Sequence, residues 1–188
     1  MNNNIFQSNS EQLAVIAFLA KNIGSNRLGR TSLMKLLYFI EEQEHVPLGY
    51  SFSIYSYGPF DSEVLSDLGQ AERLQIVSTT LENFSGGYRY NIAPGEKADE
   101  AINGEAEFIR KYEKELGDVV KHFGGESPSD LELQSTIHFA FNESLQSGKH
   151  SKESLAKTVH GIKPKFELSY ILTAISKLES IQAIKPLD

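Results

Sequence analysis

The sequence predicts a mainly α fold of the α+β type. Three observations lead there. From residue 33 to residue 40 every side chain except Lys35 is apolar or aromatic, and a helix that is apolar nearly all round is a buried one. Residues 50–57 alternate, with Tyr50, Phe52 and Ile54 set against Ser51, Ser53 and Tyr55, which is the period of a half-buried strand. Two β-rich stretches, 76–81 and 88–92, flank Ser85-Gly86-Gly87, a turn that would close them into an antiparallel hairpin. Helix, strand, helix and hairpin in this order make a winged-helix-like core with a small antiparallel sheet. After Pro94 apolar residues recur at helical spacing, giving a C-terminal helical extension. The expected division is 1–93 for the core and 94–188 for the extension packed on it.

In chain order, the Asn- and Ser-rich residues 1–9 carry no pattern. Ser10 is placed to cap a helix over 11–22 with Leu13, Ile16, Ala17 and Ala20 on one face, and Gly24 suits the position just beyond it. The second helix spans about 31–44. Each large apolar side chain contributes roughly 1.5–3 kcal/mol when buried, so residues 33–40 should anchor the core, while Glu41, Glu42 and Glu44 return the helix to water. Gly58-Pro59 ends the strand. Proline lacks an N–H and has a fixed φ, so a third helix is expected to start at Pro59 and reach Arg73. Asp61 and Glu63 would then face the positive end of its dipole, with Phe60, Val64, Leu68 and Ala71 inward. Beyond Pro94-Gly95, a helix is expected over 96–123, bent or broken at Gly104. Another should run from Ser127-Pro128 to Leu145. A short one, capped by Ser151, carries Leu155 and Val159 inward. A last one over 165–181 uses Phe166, Tyr170, Ala174, Leu178 and Ile181.

Composition excludes several chemistries. The chain has 188 residues, a formal charge of −7 and no Cys. There are therefore no disulfides, thiolate nucleophiles or cysteine metal sites. An acidic balance also disfavours a protein that holds nucleic acid by its phosphates. The polar N-terminus is not a signal peptide, and no apolar run approaches a membrane span; a cytoplasmic protein with no membrane partner is expected. The five histidines are scattered without ligand spacing. Gly-x-Ser-x-Gly, Gly-x-Gly-x-x-Gly and Gly-Lys-Ser/Thr patterns are absent. No catalytic residue, cofactor or metal is expected. Acidic pairs such as Glu41/Glu42 read as solvated faces.

At residues 35–39, Lys-Leu-Leu-Tyr-Phe, followed by a strand and Tyr57-Gly58-Pro59-Phe60, the chain resembles the Panacea-domain proteins, the SocA-like antitoxin group and its bacterial relatives. The similarity covers about residues 30–74. The chain departs from the pattern in lacking the tryptophan that usually precedes Tyr-Gly-Pro. This resemblance implies a non-enzymatic protein that binds another protein, often a toxin encoded beside it.

Candidate partner-binding residues fall in three groups. Arg27 and Arg30 lie with Lys21 and Lys35 around the first loop. Lys152, Lys157, Lys163 and Lys165 crowd the short C-terminal helix with Lys149, His150 and His160. Tyr55 and Tyr57 stand on the strand face opposite Phe52 and Ile54, and tyrosine is favoured at interfaces. The plainer alternatives are a solvated lysine face and a Tyr55 covered by a C-terminal helix. The alternative function is a winged-helix DNA-binding regulator. The helix best placed for a groove, 59–73, would expose Asp61, Glu63, Asp67 and Glu72 with only Arg73 basic, which opposes phosphate contact.

Overall fold

A computed structural model describes residues 9–23, 28–84, 87–145 and 151–187. In chain order the elements are α1 (Ser10–Asn22), α2 (Arg30–Tyr38), β1 (Ser53–Tyr55), β2 (Gly58–Phe60), α3 (Ser62–Arg73), β3 (Val77–Phe84) and β4 (Gly87–Pro94). There follow α4 (Ala98–Gly104), α5 (Ala106–Lys111), α6 (Glu113–Phe123), α7 (Pro128–Leu145), α8 (Lys152–Ile162) and α9 (Leu168–Ser180). The fold is mainly α, with two small antiparallel sheets of two strands each. The chain divides into two compact units, Met1–Ser51 with Asp61–Gly125, and Phe52–Phe60 with Glu126–Asp188. The end of β4, near which the sequence suggested a boundary, lies inside the first unit.

The first unit is built on α1 and α2. Burial in α1 is wider than the expected single stripe: residues 13–17 are all inaccessible, as are Leu19 and Ala20. Apolar burial in α2 continues through Tyr38, Phe39 and Ile40, and Lys35 is buried with them. The helix then widens into a five-residue π-helical segment, Phe39–Gln43, a geometry that inserts an extra residue into the turn. Within it Glu41, expected to face water, is half-buried. Its carboxylate accepts the N–H groups of Gly49 at 2.8 Å and Tyr50 at 2.9 Å. The Phe39 ring stacks on Phe123 of α6, with centroids 3.9 Å apart.

The third helix starts later than the sequence suggested. Pro59 is in strand β2, and Asp61 is the cap, its carboxylate accepting from Glu63 N at 2.9 Å. A proline's fixed φ suits an extended strand as well as a first helical turn, and the stronger capping residue sets the start. Phe60 therefore leaves the stripe, which keeps Val64, Leu68 and Ala71. Asp67, expected at the surface, is buried. The Tyr50 hydroxyl donates to it at 2.8 Å and the Asn9 amide at 2.5 Å. Burial and the neighbouring Asp67 charge push the Tyr50 hydroxyl far above its ordinary range.

Strands β3 and β4 form a longer hairpin than predicted, in register from Val77 opposite Pro94 to Phe84 opposite Gly87. Ser85 and Gly86, assigned to its turn, lie outside the described residues, as does Gly24. At its base Gly95 runs against Gln75, where a Cβ would stand 2.2 Å from the Gln75 carbonyl oxygen. Only glycine fits. The helix expected over 96–123 is three helices, α4 ending at Gly104 and a second break falling at Tyr112.

In the second unit, α7 and α8 begin where expected. The Ser127 hydroxyl accepts from Asp130 N, and the Ser151 hydroxyl from Ser154 N. The last helix starts at Leu168 and buries Ile171, Ile175 and Leu178. Tyr170, predicted inward, is exposed, and its hydroxyl donates to Asp130. The strand predicted over 50–57 shrinks to Ser53–Tyr55 with all three residues exposed, and it pairs with β2, which lies on α7. Tyr50 is buried as a loop residue of the first unit.

Candidate partner-binding site

The two tyrosines of the β1–β2 hairpin are well exposed on the second unit. Tyr55 is 67% and Tyr57 68% accessible. The hairpin is short, with register Ser53 opposite Phe60 and Tyr55 opposite Gly58. A two-stranded hairpin of this size is marginal in water, so its shape must be supplied from below. Two contacts do so. Gly58 turns the chain at φ +85° directly over α7, where a Cβ would lie 3.0 Å from Thr136 Oγ1 and 3.3 Å from the Glu132 carbonyl oxygen. Lys163, just past α8, reaches the carbonyl oxygens of Tyr55, at 3.4 Å, and of Ser56.

Lys163 is 4% accessible and therefore no part of an open lysine face. Its charge is met by Glu132, buried in α7, at 3.0 Å from Oε1. This is an ion pair rather than an aligned hydrogen bond, since Oε1 has no hydrogen-bond donor while the ammonium hydrogens go to the hairpin carbonyls. The other Glu132 oxygen accepts from the half-exposed Lys165 at 2.8 Å. One buried carboxylate thus holds two lysines, and one of those lysines holds the hairpin turn. Sequence reasoning missed Glu132: it lies in an apolar helix thirty-odd positions before its partners, and its only signal was an acidic residue amid Leu131, Leu133 and Ile137.

The remaining lysines separate in the same way. Lys152 pairs with Glu179 at 2.6 Å, whereas Lys157 is exposed on α8. The dense basic cluster of the sequence is in good part neutralised by carboxylates that folding returns to it. His160 Nδ1 lies 2.9 Å from the Phe166 carbonyl oxygen, to which it donates. In the first unit Arg27 lies outside the described residues. Arg30 is exposed and places its guanidinium 3.6 Å from the centre of the Tyr90 ring. Among the described residues no three His, Asp or Glu side chains are grouped to hold a metal ion, and no helix is long and apolar enough to cross a membrane.

No protein-family model and no curated protein sequence matches the chain.

Proposed function

We propose that this protein is a non-enzymatic, cytoplasmic binding module, antitoxin-like or adaptor-like, that docks a partner protein through the β1–β2 hairpin. The observation that carries this reading is the pair of outward tyrosines on a turn whose backbone is fixed by Lys163 and Glu132. Exposed aromatics on a preformed support lose little conformational freedom on binding, which is the economy of interface hot spots. The resemblance of residues 30–74 to the Panacea-domain proteins supports the same reading. So does the winged-helix-like order of α2, α3 and the β3–β4 hairpin, kept here as a scaffold. A DNA-binding role has less behind it, because α3 exposes Glu63 beside its capping Asp61 and carries only Arg73 as a cation.

The test is co-expression with the product of the adjacent gene and purification at moderate salt. The expected outcome is a complex that Tyr55→Ala/Tyr57→Ala dissolves while leaving the melting temperature unchanged, as exposed positions allow. A complex indifferent to both substitutions, or no complex at all, overturns the proposal.

A further inference from the structure

The β3–β4 hairpin is two-faced. Glu82 and Arg89 pair at 3.0 Å on the outer face, beside Ser78, Thr80 and Asn91. The opposite face begins as core, with Val77 and Ile92 buried, and then runs on past it. There the cross-strand partners Leu81 and Tyr90 are 56% and 39% accessible, and Tyr88 beyond them is 71% accessible. Leu28 explains what lies above. Its carbonyl oxygen accepts from Ile92 N at 2.8 Å, so residues 28–29 run beside β4 and α2 starts with Arg30 over Tyr90. Gly29 permits that approach, since a Cβ there would be 3.1 Å from the Tyr90 carbonyl oxygen.

The Arg30 guanidinium is thus held over the Tyr90 ring, and among the described residues it has no carboxylate partner. It lines an open cleft of about 730 Å³ on this unit, together with Thr79 and Tyr90, and with Glu72 and Glu96 at the hairpin base. From base to tip the surface is acidic, then cationic, then apolar. At roughly 3.4 Å per residue the stretch from Pro94 to Tyr88 is about 20 Å long, the reach of an extended segment of six or seven residues.

We propose that this face binds an extended peptide segment of a partner protein carrying a carboxylate that bonds Arg30, an apolar side chain two positions away on Leu81 and Tyr88, and a basic residue at the Glu72–Glu96 end. A guanidinium already held over a tyrosine ring loses less freedom when its N–H donors meet a carboxylate, which suits bidentate capture. A duplex would bring its phosphates against Glu72 and Glu96. The inference rests on the protein-binding reading but uses a different surface from the tyrosine hairpin.

The probe is a phage-displayed library of random twelve-residue peptides panned on the full chain. Because Cys is absent, a single Cys introduced at the exposed Thr80, which does not line the cleft, carries the label for measuring affinity. Expected are sequences with Asp or Glu two positions from Leu, Ile or Phe and a basic residue on the far side. Arg30→Glu and Leu81→Ser/Tyr88→Ser should each weaken binding about tenfold or more, the scale of a lost anchor. Arg30→Lys should fall between, and Tyr55→Ala/Tyr57→Ala should change nothing. Enriched peptides without that pattern, or affinity untouched by Arg30→Glu, overturn the proposal. So does self-association abolished by Leu81→Ser/Tyr88→Ser, or a duplex-DNA shift abolished by Arg30→Glu.

Discussion

Lys163 has the composition of a surface residue and the surroundings of a core one. Removing one member of a buried pair leaves the other charge without compensation, which costs roughly 3–5 kcal/mol. Lys163→Met is therefore expected to lower unfolding free energy by that order in urea titration. Adding Glu132→Leu should recover part of the loss. Gly58→Ala tests the other support. An alanine would be strained at φ +85° and would press on Thr136, so a loss of about 1–3 kcal/mol is expected. None of this was legible at the single residue, because a lysine's burial is set by where a distant glutamate returns. The tyrosines' place on a short hairpin was legible, but the expected alternation was not kept, since Ile54 is exposed beside Tyr55 and Tyr57 lies in the turn.

At the scale of elements, apolar runs were read well and boundaries less so. The buried α2, the α7 start at Ser127-Pro128 and the hairpin around residue 85 follow from patterns of a few adjacent residues. The start of α3 does not, because Pro59 and Asp61 compete to begin a helix and only β1 pairing with β2 decides between them. Asp61→Ala should accordingly cost about 0.5–2 kcal/mol as a lost cap, measured by thermal melts, whereas Pro59→Ala should leave the helix content of the circular dichroism spectrum unchanged. Phe39 and Phe123, joined face to face, were invisible as a pair. Phe123→Ala should cost about 3–5 kcal/mol, the range for an aromatic removed from a core.

For the whole molecule, acid acts oppositely on two pairs of carboxylates. Burial alone would push the Asp130 and Glu179 carboxyls up. The Ser127 and Tyr170 hydroxyls on Asp130, and the Lys152 ammonium with Leu187 N–H on Glu179, outweigh it and hold both below the usual range. Such groups add stability that is complete above their unfolded values, about 3.9 and 4.3, and lost as pH falls through the folded ones. Glu41 and Glu44 of the first unit are pushed up, chiefly by burial. Their contribution is complete below the unfolded value of about 4.3 and lost as pH rises through the raised ones. Melting temperature against pH checks both signs. Asp130→Asn/Glu179→Gln should lose less than the wild type on going from neutral pH to about pH 3.5, while Glu44→Gln should gain at neutral pH and nothing below about pH 4.

The interleaving of the two units also has a consequence in time. The hairpin at residues 52–60 emerges from the ribosome early, but the lysine that fixes its turn follows 107 positions after Ser56. At roughly 5–20 residues per second of synthesis, that is about 5–20 s during which the first unit can close while the tyrosine turn has no foundation. The turn gains its support only once α7 and the lysine just past α8 are made, so the hairpin proposed for docking takes its shape late relative to its own synthesis.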